Sequence, residues 1–376
     1  MNRKTILVIV VILSLLTGGI ILCVTRWQAW FVNPAEPEWT ADTLDYHFYC
    51  FGDDSVPGFV YDGCWQDTVQ PDELKIILFG DVHNQISHAC YDSVISREYD
   101  ADCYAQLGDW FERGYFYYAQ LLFHELQGTR FDSLPVMTCP GNHEYRKGII
   151  RRLPQAWKTI FRHPVNGPVD FLGTTYYVDF RNLRFIVLDT NGLHFLRDYT
   201  RMLTWLRRAL DVRGQRFTVV MMHHPVFSCG VGRQNVGINM FFRNALGKAD
   251  IVFAGHDHNY SRRLPFINTN SAQKAYLNKV NAADERIASG HRFYEVLKVK
   301  ADTLSVLTYL MDNGELYDYV QIIKTPDGHL VHDNASDWKE YIDLPERYIG
   351  KNSMKVKRFN KRREHRLSLR NEVSQK

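Results

Sequence analysis

The stretch 76-IILFGDVHN-84 runs four apolar residues straight into Gly80, Asp81, Val82 and His83. A short continuous apolar run that stops at a glycine reads as a strand covered on both faces. Ending such a strand in a carboxylate and an imidazole is either ordinary turn chemistry or the delivery of two ligands to a site. Five further runs of the same kind follow, at 104–107, 136–138, 185–188, 218–222 and 251–254. Helix-like segments lie between some of them. In 117-YYAQLLFHEL-126 and 200-TRMLTWLRRAL-210 the apolar spacing is helical; the second puts Leu203, Leu206 and Leu210 on one face, with Thr200 placed to cap its start. Residues 293–310 read as a hairpin turning at Ala301-Asp302. The alternation predicts an α/β fold.

Five of the six runs lead directly into metal-capable residues. They end in GDVH (Asp81, His83), LGDW (Asp109), PGNHE (Asn142, His143, Glu144), MMHHP (His223, His224) and AGHDH (His256, Asp257, His258). Each alone is weak, because local turn chemistry produces such residues freely. In open α/β sheets, however, ligands bind at the carboxyl ends of strands, so five such ends converge on one pocket. Carboxylates, a carboxamide oxygen and imidazoles together suit borderline divalent metals such as Mn, Fe, Co, Ni or Zn. The set is too large for one metal with an open position and matches two metals sharing a carboxylate.

The ordered series GD-x-H, GD, GNHE, HHP and GH-x-H resembles the calcineurin-like metallophosphoesterase superfamily, over roughly residues 74–260. The resemblance implies a four-layer α-β-β-α sandwich of two mixed sheets with two metals at the strand ends. By position, Asp81, His83 and His258 would hold one metal, Asn142, His223 and His256 the other, with Asp109 bridging. His143 would be the catalytic histidine beside the phosphate. Glu144 or Asp257 would orient neighbouring imidazoles, and His224 would either face substrate or pack, packing being preferred. The cofactors implied are two divalent or mixed-valence ions, Mn, Fe or Zn, sharing a bridging hydroxide that attacks phosphorus. HHPVFS and GHDHNYSRR also look like the purple acid phosphatase branch. That branch carries a tyrosine where this chain has Glu112 and lacks the His83 position, so no tyrosinate–iron colour is expected. Arg262 and Arg263 either meet substrate anions or form an exposed structural pair. His88, His124, His163 and His194 lie outside the motifs and read as ordinary histidines.

The rest of the chain sets the context. Its 376 residues are 45% hydrophobic and 23% charged, ordinary for a folded protein, and a net charge of +3 does not argue for nucleic acid. Arg3 and Lys4 precede an uncharged apolar run, 5–25, matching the roughly 20 residues a bilayer-spanning helix needs. Trp27, Trp30 and Phe31 follow it as an interfacial belt would. The expectation is a single-pass membrane protein, its N-terminus cytoplasmic and its catalytic domain extracytoplasmic. The divisions expected are an anchor at 1–26, a linker at 27–44, the catalytic domain at 45–350 and a basic tail at 351–376. Seven cysteines include no C-x-x-C pair, which excludes a zinc ribbon; Cys50 and Cys64 either pair or stay free. The tail, with ten Lys or Arg against two Glu, reads as a solvated, partly disordered segment, with contact to an anionic membrane surface or nucleic acid as the second reading. The substrate expected is a phosphorylated small molecule or surface group. Phosphomonoester hydrolysis leads, ahead of diester, nuclease or pyrophosphate cleavage on the same metals; a non-catalytic binding protein is the most distant reading.

Overall fold

The computed structural model describes residues 48–52, 59–60, 64–65, 72–146, 151–211, 217–334 and 339–374. The strands are β1 (Phe59–Val60), β2 (Cys64–Trp65), β3 (Glu73–Phe79), β4 (Cys103–Gln106), β5 (Val136–Thr138), β6 (Tyr176–Phe180), β7 (Leu183–Leu188) and β8 (Phe217–Met222). They continue with β9 (Ile251–Ala254), β10 (Tyr260–Arg263), β11 (Phe266–Asn268), β12 (Arg286–Ala288), β13 (Phe293–Lys300), β14 (Thr303–Leu310), β15 (Leu316–Thr325) and β16 (Gly328–Asp333). The α-helices are α1 (His88–Arg97), α2 (Phe116–Leu126), α3 (Gln155–Ile160), α4 (Leu196–Leu210), α5 (Val236–Leu246) and α6 (Met354–Ser374).

Two mixed sheets form. One has seven strands in the order β16-β15-β14-β13-β3-β4-β5, the other nine in the order β1-β2-β6-β7-β8-β9-β11-β10-β12. β3, β4 and β5 run parallel, and so do β7, β8 and β9. β3 shows why both faces had to be apolar. Leu74, Ile76 and Leu78 point into the core between the sheets, while Ile77 and Phe79 pack with Tyr91, Val94 and Leu122 of α1 and α2. On the other sheet, Ile186, Val220 and Val252 pack outward against Met202 and Leu206 of α4 and Phe242 of α5. The layering is therefore helix, sheet, sheet, helix, and the carboxyl ends of both parallel runs lie on the same side of it.

Several expectations need correction. α4 starts at Leu196, not near Thr200, because the Asp198 carboxylate accepts the His194 and Phe195 amides and fixes the first turn there. The tail is not a solvated strand of charge: it forms α6, which buries Val356 and Phe359 against Leu277, Ile287 and Ile342. Arg362, Arg363, Arg366 and Arg370 meet protein acceptors, Arg366 forking onto Glu340 at 2.7 and 2.8 Å. The expected single-pass membrane location is also corrected: no helix among the described residues is long and apolar enough to cross a membrane. The anchor and linker expected at 1–44 lie outside the described residues, as does the side chain of Cys64.

Candidate metal centre

Each motif occupies the loop just past a strand. β3 delivers Asp81 and His83, β4 Asp109, β5 Asn142 and His143, β8 His223 and His224, and β9 His256 and His258. Three of these strands belong to the seven-stranded sheet and two to the nine-stranded one, so the site exists only because the sheets stack. The backbone is strained where the side chains must turn inward. His83, Asp109, His256 and His258 have φ of 51°, 53°, 69° and 50°. Left-handed conformations at such residues cost roughly 1–3 kcal/mol each and concentrate at functional sites. The glycines of the motifs have a steric reason as well: a Cβ at Gly141 would meet the Asp109 amide nitrogen at 2.1 Å, and one at Gly255 would meet Asp81 Oδ1 at 2.2 Å.

Two sets of donor atoms converge. In the first, His83 Nε2 and His258 Nε2 face each other at 3.1 Å, and Asp81 Oδ2 lies 3.0 Å from His258 Nε2. In the second, His223 Nε2 lies 3.2 Å from Asn142 Oδ1 and 3.2 Å from His256 Nδ1. Asp109 Oδ2 stands between the sets, 3.7 Å from His83 Nε2 and 3.4 Å from His223 Nε2. All seven residues singled out as ligands in the sequence are brought together, and so is His143, whose Nε2 is 3.9 Å from Asp109 Oδ2.

The donor sets fit metal ions. Ligands about 2.0–2.2 Å from a metal stand about 3 Å apart, the spacing seen in both sets. Asp81 Oδ2 is buried with no hydrogen-bond donor, the state of an oxygen that awaits a cation. His258 Nδ1 donates to the Lys274 carbonyl at 2.7 Å and His223 Nδ1 to the Leu107 carbonyl at 3.0 Å, which leaves each Nε2 lone pair facing inward. Asp81, His83, Asp109 and His258 thus form a group able to hold one ion, and His223, His224 and His256 a second.

Electrostatics favour neutral imidazoles at most of these positions. Burial pushes His83 down to about 3 and His224 likewise to about 3, and burial with the neighbouring His224 pushes His256 well below the usual range. His223 goes the other way, to about 9: burial opposes its charge, but Asp109 and then Asp81 outweigh it. A proton held there is one that a cation replaces.

The supporting residues differ from expectation. Glu144 does not orient an imidazole. Its buried carboxylate accepts the amides of Asp109 at 2.8 Å, Gly141 at 2.6 Å and Phe111 at 2.9 Å, and so ties the second and third motif loops together. Asp257 likewise accepts a backbone amide, that of Gly230, at 3.0 Å. His224, read as facing substrate or packing, lies with its ring 4.4 Å from that of His256 and its Nδ1 3.0 Å from Thr190 Oγ1. Arg262 is not exposed; it is fully buried and paired with Asp318, Glu285 and Asp333. Glu112 was noted only as the residue standing at a tyrosine position. Its carboxylate lies 3.2 Å from His83 Nδ1, and its carbonyl accepts from His143 Nδ1. The signal was its spacing, three residues after Asp109, which sets it on the same loop. His194, read as ordinary, lines a cavity beside the second donor set.

Fold and site together are those of a metallophosphoesterase, with donor residues that could hold a dinuclear centre. The calcineurin-like phosphoesterase family matches residues 74–260, and through these residues the chain belongs to that family and is a phosphoesterase. No curated protein matches the chain. Among solved structures, a purple acid phosphatase from yellow lupin (Lupinus luteus) seeds is similar at 15% identity and a TM-score of 0.52, over 69% of this chain and 55% of that one. The chain thus spans only a little over half of the lupin protein. PhoD is similar at 11% identity and a TM-score of 0.51, over 79% of this chain and 78% of that one. GAP50, the anchor in the inner membrane complex of Plasmodium, is similar at 14% identity and a TM-score of 0.50, over 77% and 94%. At these identities the likeness is one of fold.

Proposed function

We propose that the chain is a phosphomonoesterase that works with two metal ions, Mn, Fe or Zn. Asp81, His83 and His258 would hold one ion and Asn142, His223 and His256 the other, with the Asp109 carboxylate shared. The observation that carries this reading is the position of Asp109 Oδ2 between two donor sets whose members are each about 3 Å apart. Bound there, the ions would supply Lewis-acid polarisation of a phosphoryl oxygen and a more acidic water as nucleophile.

The protein's own residues do the rest. His143 donates Nδ1–H to the Glu112 carbonyl, which turns Nε2 toward the open side of the site. A proton held at that Nε2 stabilises charge on the phosphoryl group or passes to the departing alkoxide. Glu144 holds the Asp109 and Asn142 loops in register, so the bridging carboxylate and the carboxamide cannot drift apart. The surroundings suit a dianion: Arg233 Nη1 is fixed on the His256 carbonyl at 2.7 Å, which holds its guanidinium charge beside the second donor set. A monoester carries the extra negative charge that this guanidinium matches; a diester does not.

The test compares p-nitrophenyl phosphate with bis-p-nitrophenyl phosphate on the full chain loaded with Mn, Zn or Fe. Hydrolysis of the monoester at least tenfold faster is expected with one of these metals, together with loss of bound metal in His83→Ala. A faster diester reaction overturns the monoester assignment, and full metal content in His83→Ala overturns the ligand assignment.

A further inference from the structure

Beside the second donor set lies a cavity of about 480 Å³, whose wall includes Arg151, Asn191, His194, His224, Asn235 and Val236. It shares His224 with the metal-capable group, so whatever fills it adjoins the second donor set. No Asp or Glu among the described residues lines it. Among the described residues no carboxylate pairs with the Arg151 guanidinium; only its carbonyl is engaged, by His194 Nε2 at 3.0 Å.

A second feature has the same sign. α5 begins in this wall at Val236, and its N-terminus carries no side-chain cap. Its first amides therefore present unused donors and the positive end of the helix dipole. A third feature is an unmet acceptor. Asn191 is only 4% exposed; its amide nitrogen donates to the Pro140 carbonyl at 2.7 Å, while its amide oxygen has no partner. Two other cavities with arginines are different in kind. One, of about 450 Å³ beside α4, contains Asp170, and Asp170 already pairs with its Arg201. The other lies under α6. It contains Asp284 and Glu285, and its Arg366 and Arg370 are already bonded to backbone carbonyls.

We propose that the cavity lined by Arg151 and the α5 N-terminus is the leaving-group subsite, and that it selects a hydroxylated leaving group bearing a second anionic group. A sugar bisphosphate is the chemical type: one phosphate over the metals, the hydroxyls toward Asn191, and the second phosphate between Arg151 and the first amides of α5. The inference rests on the phosphomonoesterase reading for the direction of substrate binding, while the cavity's affinity for the anion stands apart from it.

Two measurements decide it. Calorimetric titration of the metal-free full chain with glucose 6-phosphate, the product type left in the cavity, is expected to show binding that weakens about tenfold or more in Arg151→Ala, because a charge-assisted hydrogen bond is lost. Arg151→Lys should recover part of it. In the metal-loaded chain, the kcat/KM ratio of glucose 1,6-bisphosphate to glucose 1-phosphate should exceed one and fall about tenfold in Arg151→Ala. Equal binding of glucose 6-phosphate by wild type and Arg151→Ala, or no binding by wild type, overturns the subsite. If neither ester is hydrolysed with any metal, the phosphomonoesterase reading fails, and the titration alone still decides the subsite.

Discussion

Glu144 shows how one side chain supports a site it does not enter. Three backbone amides from two loops converge on its carboxylate, and its burial beside Asp109 pushes it up to about 7. Glu144→Gln keeps one acceptor oxygen but sets an N–H₂ group against amides that need an acceptor. Leaving a buried donor unmet costs about 1–3 kcal/mol. The variant should unfold at correspondingly lower urea and bind Mn or Zn roughly 10–100-fold more weakly, as removal of a ligand-orienting partner does elsewhere. Metal titration followed by calorimetry measures the second effect; unchanged affinity would show that Asp109 and Asn142 keep their places without Glu144. The residue was visible in GNHE, but which atoms it serves was not, because its partners Asp109 and Phe111 lie on a different loop.

At the scale of elements, the strands were legible and the helix ends were not. The runs at 136–138 and 251–254 coincide with β5 and β9, since an unbroken apolar run has no other way to satisfy two buried faces. The start of α4 was misplaced because its cap is the internal Asp198 rather than a residue ahead of the periodic stretch. The C-terminal helix is the clearest case. Its charge suggested solvent, yet Arg366 closes a fork on Glu340, whose side chain is fully buried and also accepts the Ile287 amide. Arg366→Ala should cost roughly 2–3 kcal/mol, because the buried carboxylate loses its fork and keeps only Arg370, 3.6 Å away, as counter-charge. Urea unfolding measures it, and amide exchange should show α6 losing protection first. Arg366→Lys should restore only part, since an ammonium cannot fork.

At the scale of the whole molecule, stability should depend on pH through carboxyl groups enclosed by the fold. Glu295 points into the core between the sheets and burial pushes it up to about 8; burial pushes Asp102 and Asp284 up to about 6. Each holds its proton in the folded chain at pH values where the unfolded chain has released it. Their favourable contribution is complete below about pH 4 and is lost as pH rises, through about 6 for the two aspartates and about 8 for Glu295. The slope reaches at most about 1.4 kcal/mol per pH unit for each group that stays protonated. Urea unfolding of the metal-free chain at pH 5, 6.5 and 8 should show stability falling between the last two, and Glu295→Gln should flatten that fall. An equal slope in the variant would place the titrating group elsewhere.

The sequence by itself determined which residues meet and in what class of fold. Five strand ends carrying Asp, His and Asn have little use apart, and α/β geometry sends them to one edge. It did not determine what surrounds them. Arg151, Asn191 and the start of α5 reach the same cavity from segments forty or more residues apart, and no spacing rule links them. The direction of Arg262, the partner of Glu144 and the docking of α6 were likewise decided only when the two sheets stacked. Ligand positions follow from local strand and turn chemistry; the groups that orient ligands and choose substrate follow from long-range packing, which leaves no periodic trace in the chain.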